Sequence, residues 1–179
     1  HGGPPPCVAV ATLRDNGFPA GCEGDVSALL TSMILGYIAD KPAFMGNIVR
    51  ADPRNNLVMV SHDTVPSRMA GFDQPLKPCK LRDFAFSERG VCSYVDLDTG
   101  QQAMVARIAS NLDRMVAVRA EIVDCRDTVA SRATVTVRVN DAREFFHKAT
   151  GNHHVLVYGD HMVELRGLCQ MLGIELIEL

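Results

Sequence analysis

The chain reads as α+β: a mainly antiparallel β-barrel domain over residues 43–179, preceded by the strand-helix tail of an α/β domain over residues 1–42. Three observations predict this. One segment near the start has clear helical spacing with a cap in front of it. Many short runs of Val and Ile among polar residues follow, separated by turn-forming residues. Helical signals after residue 42 are confined to the chain's end, and many short antiparallel strands with few helices suggest a small barrel.

Taken in order, His1-Gly2-Gly3-Pro4-Pro5-Pro6 reads as a linker, so the sequence is expected to be an excised portion of a longer polypeptide. Cys7 to Leu13 (CVAVATL) is a nearly continuous apolar run, as expected for a strand covered on both faces. Asn16-Gly17 and Pro19 turn the chain. Asp25 then sits at an N-cap position, ahead of Val26, Leu29, Leu30, Met33, Ile34, Tyr37 and Ile38 at helical spacing. Ala39-Asp40-Lys41-Pro42 ends that helix.

Ala43 to Ala51 and Leu57 to His62 are expected strands joined by the Asp52-Pro53-Arg54-Asn55-Asn56 turn. Pro66 to Val91 has no clean period and reads as a long, partly irregular loop. Gln102 to Ser110, Met115 to Val123 and Thr134 to Val139 are further β-rich runs. Val155 to Tyr158 reads as a strand, and Asp160 as the cap of a helix carrying Val163, Leu168 and Leu172. Gly173 stops it before a last strand, Ile174 to Ile177.

Composition narrows the functional classes. A hydrophobic fraction of 47% and a charged fraction of 22% are those of a globular chain with a real core. The net charge of −3, with basic residues scattered, gives no attraction to nucleic acid or acidic membranes. The apolar stretch Val26 to Ile38 is too short and interrupted for a membrane span. The six cysteines show no CxxC pair and read as free thiols of a reducing cytoplasm, with Cys22 a small buried filler.

Three distant segments place metal-binding side chains in turns or at strand ends: Gly21-Cys22-Glu23-Gly24-Asp25, Val60-Ser61-His62-Asp63 and Gly151-Asn152-His153-His154-Val155. Glu23 has two readings. A carboxylate at a helix N-terminus gains roughly 0.3–1 kcal/mol from the helix dipole. Against that, Gly21 and Gly24 let the backbone crowd close to a ligand. His62 closes an apolar strand, as a ligand or as a satisfied structural residue. His153 and His154 at a strand mouth point to opposite faces, so one can meet a metal while the other touches substrate or a supporting partner. His147 and His161 lie on polar surfaces and are assigned nothing. Met33, Met45, Met59 and Met104 read as core filler.

These segments together resemble the C-terminal part of the L-fucose isomerase/L-arabinose isomerase family. The resemblance rests on the Cys22-Glu23-Gly24-Asp25 turn with its helix, the Phe44-Met45 strand, the strand ending in Ser61-His62, and Gly151-Asn152-His153-His154 before a strand and terminal helix. It covers essentially the whole chain in order, with residues 65–130 matching loosely. It implies aldose–ketose interconversion through an enediol with a divalent ion, usually Mn²⁺, on a monosaccharide. By analogy Glu23 is the catalytic base and a metal ligand, with His62 and His154 as further ligands. His153 and Asp63 then lie near the substrate. The choice of His154 over His153 as ligand rests on the resemblance.

One departure matters. Where the family has a second acid, on the strand Phe44-Met45-Gly46-Asn47-Ile48, this chain offers Asn47, whose amide oxygen can approach a metal but cannot serve as a base. Asp52 or Asp63 would have to supply a second proton transfer, or the reaction differs, as in a lyase or epimerase. The alternative is a non-catalytic carbohydrate-binding or assembly domain. The resemblance also implies trimers or hexamers, with a neighbour's N-terminal domain covering the site of a cytoplasmic enzyme.

Overall fold

A computed structural model describes residues 5–84, 89–128 and 131–179. Helix α1 (Cys7–Asp15) and helix α2 (Val26–Ala39) come first. Strands β1 (Phe44–Asp52), β2 (Leu57–His62), β3 (Cys79–Phe84), β4 (Arg89–Val95), β5 (Gln102–Ile108), β6 (Arg114–Arg126) and β7 (Ala133–Arg138) follow. Helix α3 (Ala142–Lys148), β8 (His153–Tyr158), helix α4 (Met162–Leu172) and β9 (Glu175–Glu178) complete the order.

Six strands close a barrel in the order β5-β8-β1-β2-β7-β6, with β6 returning to β5, and every neighbouring pair is antiparallel. The expected α+β class with an antiparallel barrel is therefore what the chain adopts. Strand β6 is 13 residues long. Its C-terminal half pairs with β7, and its start pairs in parallel with β9 along the same edge. The barrel encloses Phe44, Val58, Val60, Val105, Val118, Val135 and Leu156. On the outside, Met45, Met104, Ala106, Val155 and Val157 pack under Ala28 and Leu35 of α2 and Met162 and Leu165 of α4. Both faces of these strands are covered, which is why β8 is buried at all six positions, its two histidines included. Among the described residues no helix is long and apolar enough to cross a membrane.

Four expectations are corrected. Cys7–Leu13 is not a strand but most of α1. Its buried positions are Cys7, Val10, Ala11 and Arg14, a helical i, i+3, i+4, i+7 stripe closed by a charged residue that an apolar count overlooks. Pro6 occupies its N-cap, and Gly17, at φ 80°, follows its end.

The stretch 66–91 is not wholly irregular, because β3 pairs antiparallel with β4. Strand β3 is exposed at its first four positions and so carries no alternation to read. Residues 85–88 lie outside the described residues.

In α4 the inward residues are Met162, Leu165 and Cys169, while Val163 and Leu172 face solvent. Asp160 does accept the Met162 N–H at 3.1 Å, although His161 occupies the cap position itself. Gly173 ends α4 in the left-handed conformation, as expected. Finally, α3 was not foreseen. Its signal is in the sequence: Asp141 accepts the Glu144 N–H at 2.8 Å, the Asp-x-x-Glu spacing of a capping box.

Candidate metal centre

The N-terminus of α2 is held against the start of β8 by one buried network. Asp25 caps the helix, with Oδ1 accepting the Ala28 N–H at 2.9 Å. The same carboxylate receives Arg107 through two nitrogens, at 2.8 and 3.1 Å, and contacts His153 Nδ1 at 3.0 Å. Arg107 also donates to the His153 carbonyl. Its guanidinium lies so close to Gly151 that a Cβ there would come within 2.5–2.6 Å of it. Burial alone would raise the Asp25 carboxyl. The bonds from Arg107, Ala28 and His153 override it and hold the group well below the usual carboxylate range.

Glu23 stands just before that cap, at φ 56°, followed by Gly24 at φ 69°. Two successive left-handed residues make a tight turn, and for a glutamate this conformation is strained by about 1–2 kcal/mol. Gly24 has open space around it, and a Cβ at Gly21 would come within 3.2 Å of Leu29. The Glu23 side chain is 61% exposed, and its two oxygens face two buried imidazoles: His153 Nε2 at 3.3 Å and His62 Nε2 at 3.8 Å. The two rings lie 5.2 Å apart, tilted by 53°. His62 closes β2, with its Nδ1 3.2 Å from Thr64 Oγ1. Thr64 is in turn held by buried Arg14, which also donates to the Ala20 carbonyl. Burial, reinforced by His153 and Arg14, lowers His62 to about 4 and keeps it neutral.

The other expected residues fall in different places. Asn47 pairs in register with both Ser61 and His153, so it shares their face at the same level of the barrel. His154 is not brought to Glu23. It is fully buried on the barrel's inner side, edge-on to Phe145 at 5.4 Å between ring centres, with Nδ1 3.4 Å from the Asn152 carbonyl and Nε2 unpartnered. Burial lowers it to about 4. Asp63 is turned into the protein, where Oδ1 accepts the Arg132 N–H at 2.7 Å, and burial raises its carboxyl despite that bond. Asp52 belongs to the β1–β2 turn, bonded to Arg54 and Asn55.

Sequence reasoning missed Arg107 and gave Asp25 only its capping role. A lone arginine inside the apolar run Ala103-Met104-Val105-Ala106-Arg107-Ile108 was the available signal, since a buried charge requires a buried partner.

The residues fit a metal ion on electrostatic grounds. Ionised Asp25 can only accept, so His153 donates its Nδ1–H to it, and in that tautomer Nε2 carries a lone pair. That Nε2 is buried without a hydrogen bond and points at a carboxylate oxygen. Two acceptors facing each other call for a positive charge between them, a proton on the ring or a metal ion. The carboxylate–imidazole spacings are those of neighbouring ligands around one divalent ion, and the Asp25 bond is the usual support of a metal-binding histidine. No family model and no curated protein matches this chain.

Proposed function

We propose that this chain is the metal-binding part of an aldose–ketose isomerase acting on a monosaccharide, with Glu23 as the proton-moving carboxylate. The observation that carries the proposal is the Glu23 side chain set between the buried rings of His153 and His62, at 3.3 and 3.8 Å, while remaining 61% exposed. Glu23 and His62 would hold the ion with His153 at its rim, and Asn47, level with His153, would offer its amide oxygen beside them. A divalent cation, Mn²⁺ as the resemblance implies, would polarise adjacent sugar oxygens and stabilise charge developing on them.

The chain's own groups account for the rest. The exposed Glu23 carboxylate removes the C2 proton of an aldose and returns it to C1, a contribution of typically 10²–10⁴-fold. The hydroxyl proton passes between O2 and O1. With Asn47 at the position of the second acid, Asp63 turned inward and Asp52 engaged in its turn, Glu23 is the one base in this reading. Asp25 and Arg107 orient His153. A neighbouring copy in a trimer or hexamer would cover the open side of Glu23 and exclude water.

Calorimetric titration of Mn²⁺ into the chain tests this, with Glu23→Gln, His153→Ala and His154→Ala alongside. Saturable one-to-one binding, lost in Glu23→Gln, weakened in His153→Ala and kept in His154→Ala, supports the centre as drawn. No binding to this chain or to its assembled oligomer would leave a carbohydrate-binding or assembly role instead. Conversion of an aldose panel, abolished by Glu23→Gln, separates an isomerase from a lyase or epimerase.

A further inference from the structure

Cys22 precedes Glu23 in the same left-handed turn and is only half-buried. Ligand atoms of Cys22, Glu23 and His62 all lie within 4.8 Å of one another. We propose that Cys22 enters this centre as a thiolate ligand and makes it a site for Zn²⁺ rather than Mn²⁺. The inference rests on reading the cluster as a metal centre and replaces Mn²⁺, which the resemblance alone implied, with the ion its ligands favour.

Two observations carry it independently. The first is the convergence itself. One sulfur, one carboxylate oxygen and one imidazole nitrogen come from a turn and a strand end 40 residues apart, and sulfur selects borderline-soft ions over Mn²⁺, which suits oxygen ligands. The second is the buried, unpartnered His153 Nε2 aimed at Glu23, which supplies a second nitrogen at the rim of the same cluster. Metal–ligand bonds of about 2.0–2.3 Å place tetrahedral neighbours roughly 3.4 Å apart and octahedral neighbours roughly 3.0 Å apart. The 3.3 and 3.8 Å separations lie nearer the wider, tetrahedral spacing. Three firm ligands with His153 beside them form the open arrangement of a zinc centre that keeps a position for substrate oxygen.

Zinc outcompetes manganese at most nitrogen–oxygen sites, so preference alone does not decide the matter. Cobalt(II) spectroscopy does. Metal-free protein is loaded with Co²⁺ and its absorption recorded for the unmodified chain, Cys22→Ser and, as a control thiol, Cys79→Ser, with folding checked by circular dichroism. The expected result is an intense tetrahedral visible band with a thiolate-to-cobalt charge-transfer band in the near ultraviolet, lost in Cys22→Ser and kept in Cys79→Ser. Zn²⁺ affinity should fall at least roughly tenfold in Cys22→Ser, since losing a ligand costs no less than losing a ligand's support. A weak octahedral spectrum without the charge-transfer band, identical in Cys22→Ser, would remove Cys22 from the centre and leave the Glu23–imidazole reading standing. Failure of Co²⁺ and Zn²⁺ to bind at all would overturn both.

Discussion

Asp25 Oδ2 sits 3.0 Å from His153 Nδ1, and this one contact fixes which nitrogen of the ring faces Glu23. The carboxylate is itself fixed by Arg107 and by its place as the α2 cap, so ring orientation, helix start and barrel wall are tied at one point.

Asp25→Asn keeps a capping side chain and removes the charge opposite Arg107. Divalent-ion affinity should fall about 10- to 100-fold, the usual effect of losing a histidine's support. Stability should also fall, by about 3–5 kcal/mol at most, because Arg107 is 4% exposed and would be left without its ion pair. Titration calorimetry and urea unfolding read the two effects separately. Unchanged affinity with lowered stability would reduce Asp25 to a structural cap.

Glu23→Gly should move stability and binding in opposite directions. Glycine tolerates the left-handed turn, so unfolding should become harder by about 1 kcal/mol, while the proposed ion site would lose its carboxylate. Equilibrium denaturation in the presence of chelator isolates the first effect.

Gly151→Ala places a methyl group against the Arg107 guanidinium, at 2.5–2.6 Å before relaxation. The arginine must move, and its bonds to Asp25 and the His153 carbonyl with it. We expect a loss of about 1–3 kcal/mol, the cost of overpacking a filled site, accompanied by weaker ion binding although residue 151 touches no ligand atom. Thermal unfolding and calorimetry check the pair.

His154 gives the fold a pH dependence of defined sign. Its folded-state value of about 4 lies below the ordinary 6.5 because burial disfavours the charged ring. The unfolded chain therefore takes up a proton first as pH falls. This contribution to stability is complete above about pH 6.5 and is lost progressively down to about pH 4, by on the order of 3 kcal/mol. His154→Phe, which suits the contact with Phe145, should reduce the acid-side slope of stability by one proton. An unchanged slope would show that His154 is already hydrated or bonded in the native state.

The barrel strands were legible because their runs of Val, Ile and Met answer to burial on two faces. Helix α1 was not, because Arg14 occupies an inward position that a sequence pattern assigns to solvent; its buried bonds to Ala20 and Thr64 are tertiary. The inward stripe of α4 runs through Met162, Leu165 and Cys169 because β6 and α2 dictate which side is covered. At the centre, opposite facing of His153 and His154 followed from strand geometry. Which of them meets Glu23 depended on α2 lying over the Val155–Val157 side, a fact of packing that no local signal carries. Arg107 and Asp25 are 82 positions apart, and their pairing emerges only when β5 and α2 are brought together.

Strand β8 is the stave between β1 and β5, and it is the last of the six to leave the ribosome. A growing chain that ends before residue 153 already carries Cys22, Glu23 and His62 but lacks the ring that Asp25 steers. Joining the two halves of the barrel closes a loop of roughly a hundred residues, a step whose entropic cost grows only as the logarithm of that length but whose rate is slow. The contribution of His153 to the proposed ion site should therefore appear only with the slowest phase of barrel closure, so that the last change in a cobalt spectrum would time the moment at which the staves meet.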